Sequence, residues 1–572
     1  MDNRFIEKLN YIYGEDKGPE VSKKLRKLVD RWRKSIPEAS ASVREGGGIP
    51  ADQSDSIMIT YGDSIQSPEE KPLVTLKNFA DKYLSGVISG IHILPFSPYS
   101  SDDGFSVIDY REINPALGNW DNIVSIAKDY RLMADLVLNH CSAKGVWFKE
   151  FLEGNPKYSD YFITVEPGTD LSAVFRPRAL PLLHEFNVNG ETRLVWTTFS
   201  EDQVDLNFAN PDVLLEFVDI MLDYVSKGVS LIRLDAIGFL WKEIGTSCMH
   251  HPKTHEVVKL FREVLADAAP GVILLTETNV PFKENISYFG NGKDEAHMVY
   301  QFTLLPLTLY SYIFEDASHL TSWAASLPEP DPDHTFFNFL ASHDGIGVLP
   351  AAGFLNDEEV SALIEKIKER GGLISYKATP DGEIPYELNI SLRDAISEDS
   401  LDNVQKAGKF LSAQAVMLSM AGIPGIYVHS LLGSGNWKEG VGVTGVNRTI
   451  NREKLSLNKL TAELDEEGSL RNLIFQGYSK LLKARSSTKA FHPAAGQEIL
   501  DLGPSVFALV RTDSEGSDIL CIQSVSSEPV NIELPEKFSG RSDAVNIIDG
   551  RSVPLSSGSV TLGPWEVLWL SF

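Results

Sequence analysis

The sequence predicts an α/β protein: a closed (β/α)8 TIM barrel, with small domains inserted after strands 3 and 7 and an antiparallel β domain at the C-terminus. Three observations predict it. Eight short, continuously apolar runs alternate with amphipathic stretches, as buried parallel strands covered on both faces require. Each run ends in polar residues, and the C-terminal ends of barrel strands carry the active site. Two connections are too long to be plain loops.

Residues 1–50 come first and read as a helical extension. Phe5, Leu9 and Ile12 recur at helical spacing, as do Val21, Leu25, Leu28, Val29 and Trp32. EGGGIP (45–50) breaks the pattern and marks a boundary. Gly46–Gly48 has neither a strand before it nor a Lys-Ser/Thr after it, so it reads as a linker rather than a phosphate loop. Residues 51–140 hold the first three runs, SIMITYGD (56–63), GIHILPF (90–96) and LMADLVLNH (132–140). Residues 141–205 form the first insertion, with strand-like and Pro-rich pieces of their own. The barrel resumes over 206–345 with SLIRLDAIGF (230–239), VILLTETN (272–279), MVYQFTLLP (298–306) and FFNFLASHD (336–344). Amphipathic stretches at 211–228 and 254–271 precede the first two of these. Residues 346–404 form the second insertion, and 405–486 complete the barrel with GIPGIYV (422–428). From 487 to 572, alternating runs such as SVFALVRT and DILCIQSV predict the β domain.

Lys and Arg number 52 against 79 Asp and Glu, a formal charge of −27. Nucleic acid or an anionic membrane needs a basic surface, so neither is an expected partner. The three cysteines, Cys141, Cys248 and Cys521, are far apart and in no metal-ligand spacing, as reduced buried thiols would be. The first residues are charged without an apolar core, and no apolar run approaches the roughly 20 residues that span a bilayer. A cytoplasmic location is expected. No Asp-rich loop asks for calcium, and no metal or cofactor is expected.

The chemistry is read at the strand ends. Retaining glycosyl transfer uses two carboxyl groups roughly 5–5.5 Å apart, one attacking the anomeric carbon and one serving as acid and base. Asp235 and Glu277 end consecutive strand runs. Neighbouring strands lie about 4.8 Å apart, which suits a retaining pair. Asp344 would face them across the rim and favour a positively charged transition state. Arg233, two residues before Asp235, shares its face of the strand and would keep it ionised. Partial desolvation would raise Glu277 into the range of a general acid. His140 and His343, read alone, are packed rim residues.

DLVLNH, IRLDAIGF, TET and SHDGIG, in this order, resemble the four signature regions of the α-amylase superfamily, glycoside hydrolase family 13. The resemblance runs from about residue 55 to the C-terminus. It implies Asp235 as nucleophile, Glu277 as general acid/base and Asp344 as transition-state stabiliser. It also implies His140 and His343 as sugar-hydroxyl contacts and Arg233 as the family's arginine. HILPF, SDDGFSVIDY, FRPRALPLLHEF, TRLVWTTFSEDQVDLN and GTSC are similar to the sucrose phosphorylase subfamily. That likeness implies Asp102 and Phe105 as the glucose-site aspartate and aromatic platform. It implies Arg452 of TINR as the arginine that clamps the far end of the glucose together with that aspartate, and Arg178 as the arginine on the phosphate or acceptor side. The expected substrates are then an α-glucoside and inorganic phosphate, joined through a β-glucosyl ester on Asp235.

Three positions depart from the sucrose-specific pattern. Phe239 replaces a tyrosine, Asn279 a histidine, and PYELN puts Tyr386 and Glu387 where a Tyr-Gln pair is expected. The N-terminal extension, SDDGFSVIDY, WKEIGTSC, TETNVPFKENISYFG and DEAHMVYQF resemble the glucosylglycerate phosphorylase branch. That resemblance implies release of D-glycerate, whose carboxylate needs a cationic contact. Lys242, His250, His251, Arg178 and Lys377 are the candidates. Phosphorylases of sucrose, sucrose 6′-phosphate or glucosylglycerol are the nearest alternatives. A hydrolase or transglucosidase, or a non-catalytic interaction module, is the more distant one.

Overall fold

A computed structural model describes residues 4–42, 47–177, 180–379, 382–556 and 558–572. The eight apolar runs form eight strands: β1 (Ile57–Thr60), β2 (Gly90–Ile93), β3 (Arg131–Val137), β4 (Val229–Asp235), β5 (Ile273–Thr276), β6 (Met298–Tyr300), β7 (Thr335–Phe339) and β8 (Ile423–Tyr427). They pair in parallel in sequential order and close through β8 against β1, giving the (β/α)8 barrel with a C-terminal β domain. The strands are buried nearly throughout, because the barrel interior covers one face and the outer helices the other.

Helix starts follow from local sequence. Asn210 caps Pro211–Ser226 (α1) by accepting from the Asp212 amide at 3.0 Å, with Pro211 in the first turn. His251 caps Pro252–Ala268 (α2), accepting from the Lys253 amide at 3.1 Å. The N-terminal helices Arg4–Tyr13 and Gly18–Trp32 bury the apolar stripe read in the sequence and lie on these two outer helices. Tyr13 donates to the Phe208 carbonyl at 2.9 Å, and Arg26 pairs with Asp267 at 2.7 Å.

Two excursions leave the strand ends. After β3, His140–Ser142 pairs with Gln203–Asp205, and between them Leu183–Val188 and Glu191–Trp196 form a hairpin. After β7, a hairpin of Leu373–Thr379 and Gly382–Asn389 folds back over the rim, with Ile346–Gly347 added at its edge. Among the described residues the C-terminal region is a six-stranded sheet with a separate two-stranded sheet, and their strands pair antiparallel. Cys141, Cys248 and Cys521 are buried free thiols. Among the described residues no helix is long and apolar enough to cross a membrane.

Candidate active site

A cavity of about 900 Å³, counted with its open mouth, lies over the C-terminal ends of the strands. Asp235, Glu277 and Asp344 all line it. β3 and β4 are in register with Arg233 opposite Asp135, so both side chains point into the barrel. There Arg233 pairs with Asp135 and also reaches Asp235, Nη1 to Oδ1 at 2.8 Å. His92 on β2 meets the other Asp135 oxygen at 2.7 Å. Burial opposes the charge on Asp135, but His92 and Arg233 outweigh it and hold the carboxyl near about 2. Asp135 therefore anchors the arginine on which Asp235 leans.

β4 and β5 pair Leu234 with Thr276, so Asp235 and Glu277 leave adjacent strands at the same height. Ala236 adopts a left-handed conformation, φ 49°, and aims its amide at Glu277 Oε2, 3.0 Å away. A β-carbon makes that conformation unfavourable, so the surrounding structure enforces it. Burial raises Asp235, with Arg233 pulling it down and Glu277 adding to the rise. Arg233 alone does not set its ionisation as the sequence suggested. Burial also raises Glu277, with Arg233 opposing and Asp344 reinforcing. Two carboxyls so placed do not both ionise cheaply, so the pair holds one proton near neutrality. Arg233 lies 2.8 Å from Asp235 but 3.8 Å from Glu277, which favours the charge on Asp235 and the proton on Glu277.

Asp344 behaves oppositely. Burial would raise its carboxyl, but Arg448, then His343, Arg452 and Arg233, hold it well below the usual carboxylate range. Arg448 Nη1 is 2.6 Å from Asp344 Oδ1. The rest of its guanidinium forks onto Glu387, at 3.0 Å from Nε and 2.8 Å from Nη2. Tyr386 and Glu387 are neighbours at a bulge in this hairpin: Tyr386 lines the cavity, whereas Glu387 is taken up by Arg448. Gly345 permits this, since a β-carbon there would lie 2.5 Å from Glu387 Cγ.

Asp102, Phe105, His140 and His343 also line the cavity. Phe105 stacks on His343 with centroids 4.9 Å apart and planes 6° apart. Burial lowers both histidines, His343 to about 3, so each is neutral. Gln203 approaches His140 Nε2 at 3.1 Å and donates to Asp102 at 3.2 Å. Arg452, expected to clamp the glucose together with Asp102, does not line the cavity beside it. Arg452 Nη1 pairs with Asp103 at 2.5 Å and stands behind the cavity wall, its Nε donating to the His343 carbonyl at 2.7 Å. Asp102 and Asp103 are both left-handed, φ 52° and 48°, and this turn sends the two carboxylates to different places.

The acceptor candidates separate. Lys242 is pinned by Asp205, Asn139 Oδ1 and the Phe239 carbonyl, each at 2.5 Å. His250 meets the Tyr288 hydroxyl at 2.9 Å, and His251 is the helix cap. Arg178 lies outside the described residues. Lys377 is 9% exposed and lies over Phe175, a cavity-wall residue. Phe239 and Asn279 line the cavity, as do Thr278, Val280 and Met249. Sequence reasoning missed Arg448 and Gln203. The only signal for Arg448 was the doubled Asn-Arg of VNRTINR, of which the second copy drew the attention. Among the described residues no group of three or more His, Cys, Asp or Glu could hold a metal ion.

Residues 82–345 match the model of the α-amylase catalytic domain. The full chain is 54% identical to glucosylglycerate phosphorylase of Spirochaeta thermophila, covering 98% of that protein. It is 42% identical to glucosylglycerate phosphorylase of Escherichia coli over all of both chains. Among solved structures it resembles sucrose 6F-phosphate phosphorylase from Thermoanaerobacter thermosaccharolyticum, with a TM-score of 0.73 and 26% identity, over 87% of this chain and 98% of that one.

Proposed function

We propose the reaction from one premise: the chain belongs to the α-amylase family, in the branch that holds the glucosylglycerate phosphorylases. It is a retaining glycoside phosphorylase that converts 2-O-α-D-glucosyl-D-glycerate and phosphate into α-D-glucose 1-phosphate and D-glycerate. The observation that carries the mechanism is the meeting of Asp235, Glu277 and Asp344 in one cavity with Arg233 against the first.

Asp235 attacks the anomeric carbon while Glu277 gives its proton to the departing glycerate oxygen. This leaves a β-glucosyl ester on Asp235 and an ionised Glu277. Phosphate then attacks the same carbon from the face glycerate left. The ester bond breaks, Asp235 recovers its charge, and Glu277 recovers a proton from the entering phosphate. Asp344 stays ionised beside Arg448 and stabilises the positive charge that develops on the sugar in both steps. Asp102 and His140, joined through Gln203, serve the glucose hydroxyls, and Phe105 is the platform beneath the ring.

The acceptor end supports glycerate over fructose. Phe239 brings no hydroxyl, Asn279 no imidazole, and Glu387 is engaged by Arg448 rather than turned to the cavity. The test is a panel of glucosylglycerate, sucrose, sucrose 6′-phosphate and glucosylglycerol, each with phosphate. Glucosylglycerate should give the highest kcat/KM; an equal or better value for sucrose would overturn the acceptor assignment.

A further inference from the structure

Phosphate and glycerate are both anions, and each must enter a cleft already lined by Asp102, Asp235, Glu277 and Asp344. Among the described residues two arginines line it, and both are committed: Arg233 to Asp135 and Asp235, Arg448 to Asp344 and Glu387. Lys377 differs. It is nine-tenths buried, yet no hydrogen bond or ion pair joins its ammonium to any group among the described residues. A lysine side chain covered to this extent, with no anion beside it, leaves its ammonium available to one that arrives.

Its placement says what arrives. In the hairpin over the rim, Lys377 is paired with Ile384, and directly paired residues share a face. Tyr386, at the bulge two residues past Ile384, lines the cavity. The Lys377 Nζ sits 5.4 Å from the Phe175 ring centroid. Phe175 is part of the cavity wall on the acceptor side, held there by its amide to the Ser247 carbonyl at 2.9 Å and packed near Phe239. Burial also lowers the lysine's affinity for its proton, with no carboxylate opposing the effect. A bound anion would reverse that.

The geometry points to Lys377 as the cation of the acceptor subsite, receiving the carboxylate of the leaving acid and then the phosphate that replaces it. The carboxylate half of this inference rests on the function proposed above; the phosphate half requires only phosphorolysis.

The test uses α-glucosyl fluoride as donor, so that neither anion takes part in forming the glucosyl ester. For each enzyme, kcat/KM for D-glycerate is divided by that for glycerol, an uncharged acceptor of the same length, and KM for phosphate is measured separately. In Lys377→Met the glycerate:glycerol ratio should fall, and the phosphate KM rise, by roughly ten- to hundredfold, as expected for a lost charge-assisted hydrogen bond. Lys377→Arg should keep most of both. The ratio is internal to each enzyme, so partial misfolding cancels; Lys377→Gln replaces the methionine variant should that one fail to fold. If both quantities stay within about twofold of wild type, the assignment is wrong, and a change confined to one anion overturns the shared subsite. A wild-type enzyme that ignores glycerate but uses phosphate would sink the proposed acceptor while leaving the phosphate arm to judge Lys377.

Discussion

Arg448 grips Glu387 with a two-point fork and has one nitrogen left, which it places 2.6 Å from Asp344. Glu387 thereby fixes the guanidinium plane, and Arg448 in turn keeps Asp344 ionised against burial. Because the fork is planar, lysine could not reproduce both contacts.

Arg448→Met should therefore raise the pH at which Asp344 ionises. Removing the leading influence that favours the carboxylate leaves burial to push the other way. The acid limb of the kcat/KM profile should move to higher pH by about one unit or more. Glu387 would be left buried without its cation, so a stability loss of about 3 kcal/mol is expected as well. A pH–rate profile and a denaturant titration check both.

Asp235→Asn should lower phosphorolysis on the order of 10⁴-fold, because the amide cannot form the glucosyl ester. Steady-state assays with glucosylglycerate read this directly; activity within tenfold of wild type would remove Asp235 from the nucleophile role.

Glu277→Gln should separate donors by their leaving groups. Glycerate leaves only with a proton, whereas fluoride needs little help. The loss should be roughly 10²- to 10⁴-fold with glucosylglycerate and much smaller for ester formation from α-glucosyl fluoride. Pre-steady-state release of fluoride measures the second quantity, and equal losses on both donors would contradict an acid role.

Asp135→Asn tests the support beneath the site. Its carboxyl is held near about 2, below its unfolded value, so its contribution to stability is present above the unfolded pKa and fades as pH falls toward about 2. The variant should lose about 3 kcal/mol near neutrality by leaving Arg233 short of a buried partner. The Tm difference from wild type should shrink between about pH 4 and about pH 2. A pH-independent difference would contradict the electrostatic reading.

The barrel was legible because its strands are continuously apolar and their polar ends are abrupt; SLIRLDAIGF declares both its burial and its Arg-x-Asp terminus. Residues that reach the cavity from outside the strands were harder to read. Arg448 lies on a short helical turn, Asn447–Asn451, with no apolar frame around it. Asp102 and Asp103 are indistinguishable in sequence, and only the left-handed turn decides which meets Arg452. Lys242 suggested an acceptor contact because it follows the nucleophile strand closely, yet Asp205 from the distant end of the first excursion neutralises it. Pairings across a hundred residues or more leave no local trace. Lys377 is one of five candidate cations in the sequence, and the partners of Lys242, His250 and His251 set it apart from those three.

The most direct measurement is the proton NMR spectrum of the sugar phosphate first formed from 2-O-α-D-glucosyl-D-glycerate and phosphate. Retaining phosphorolysis through Asp235 predicts α-D-glucose 1-phosphate, released in equal amount with D-glycerate. The β anomer, or free glucose in place of the phosphate ester, would contradict it.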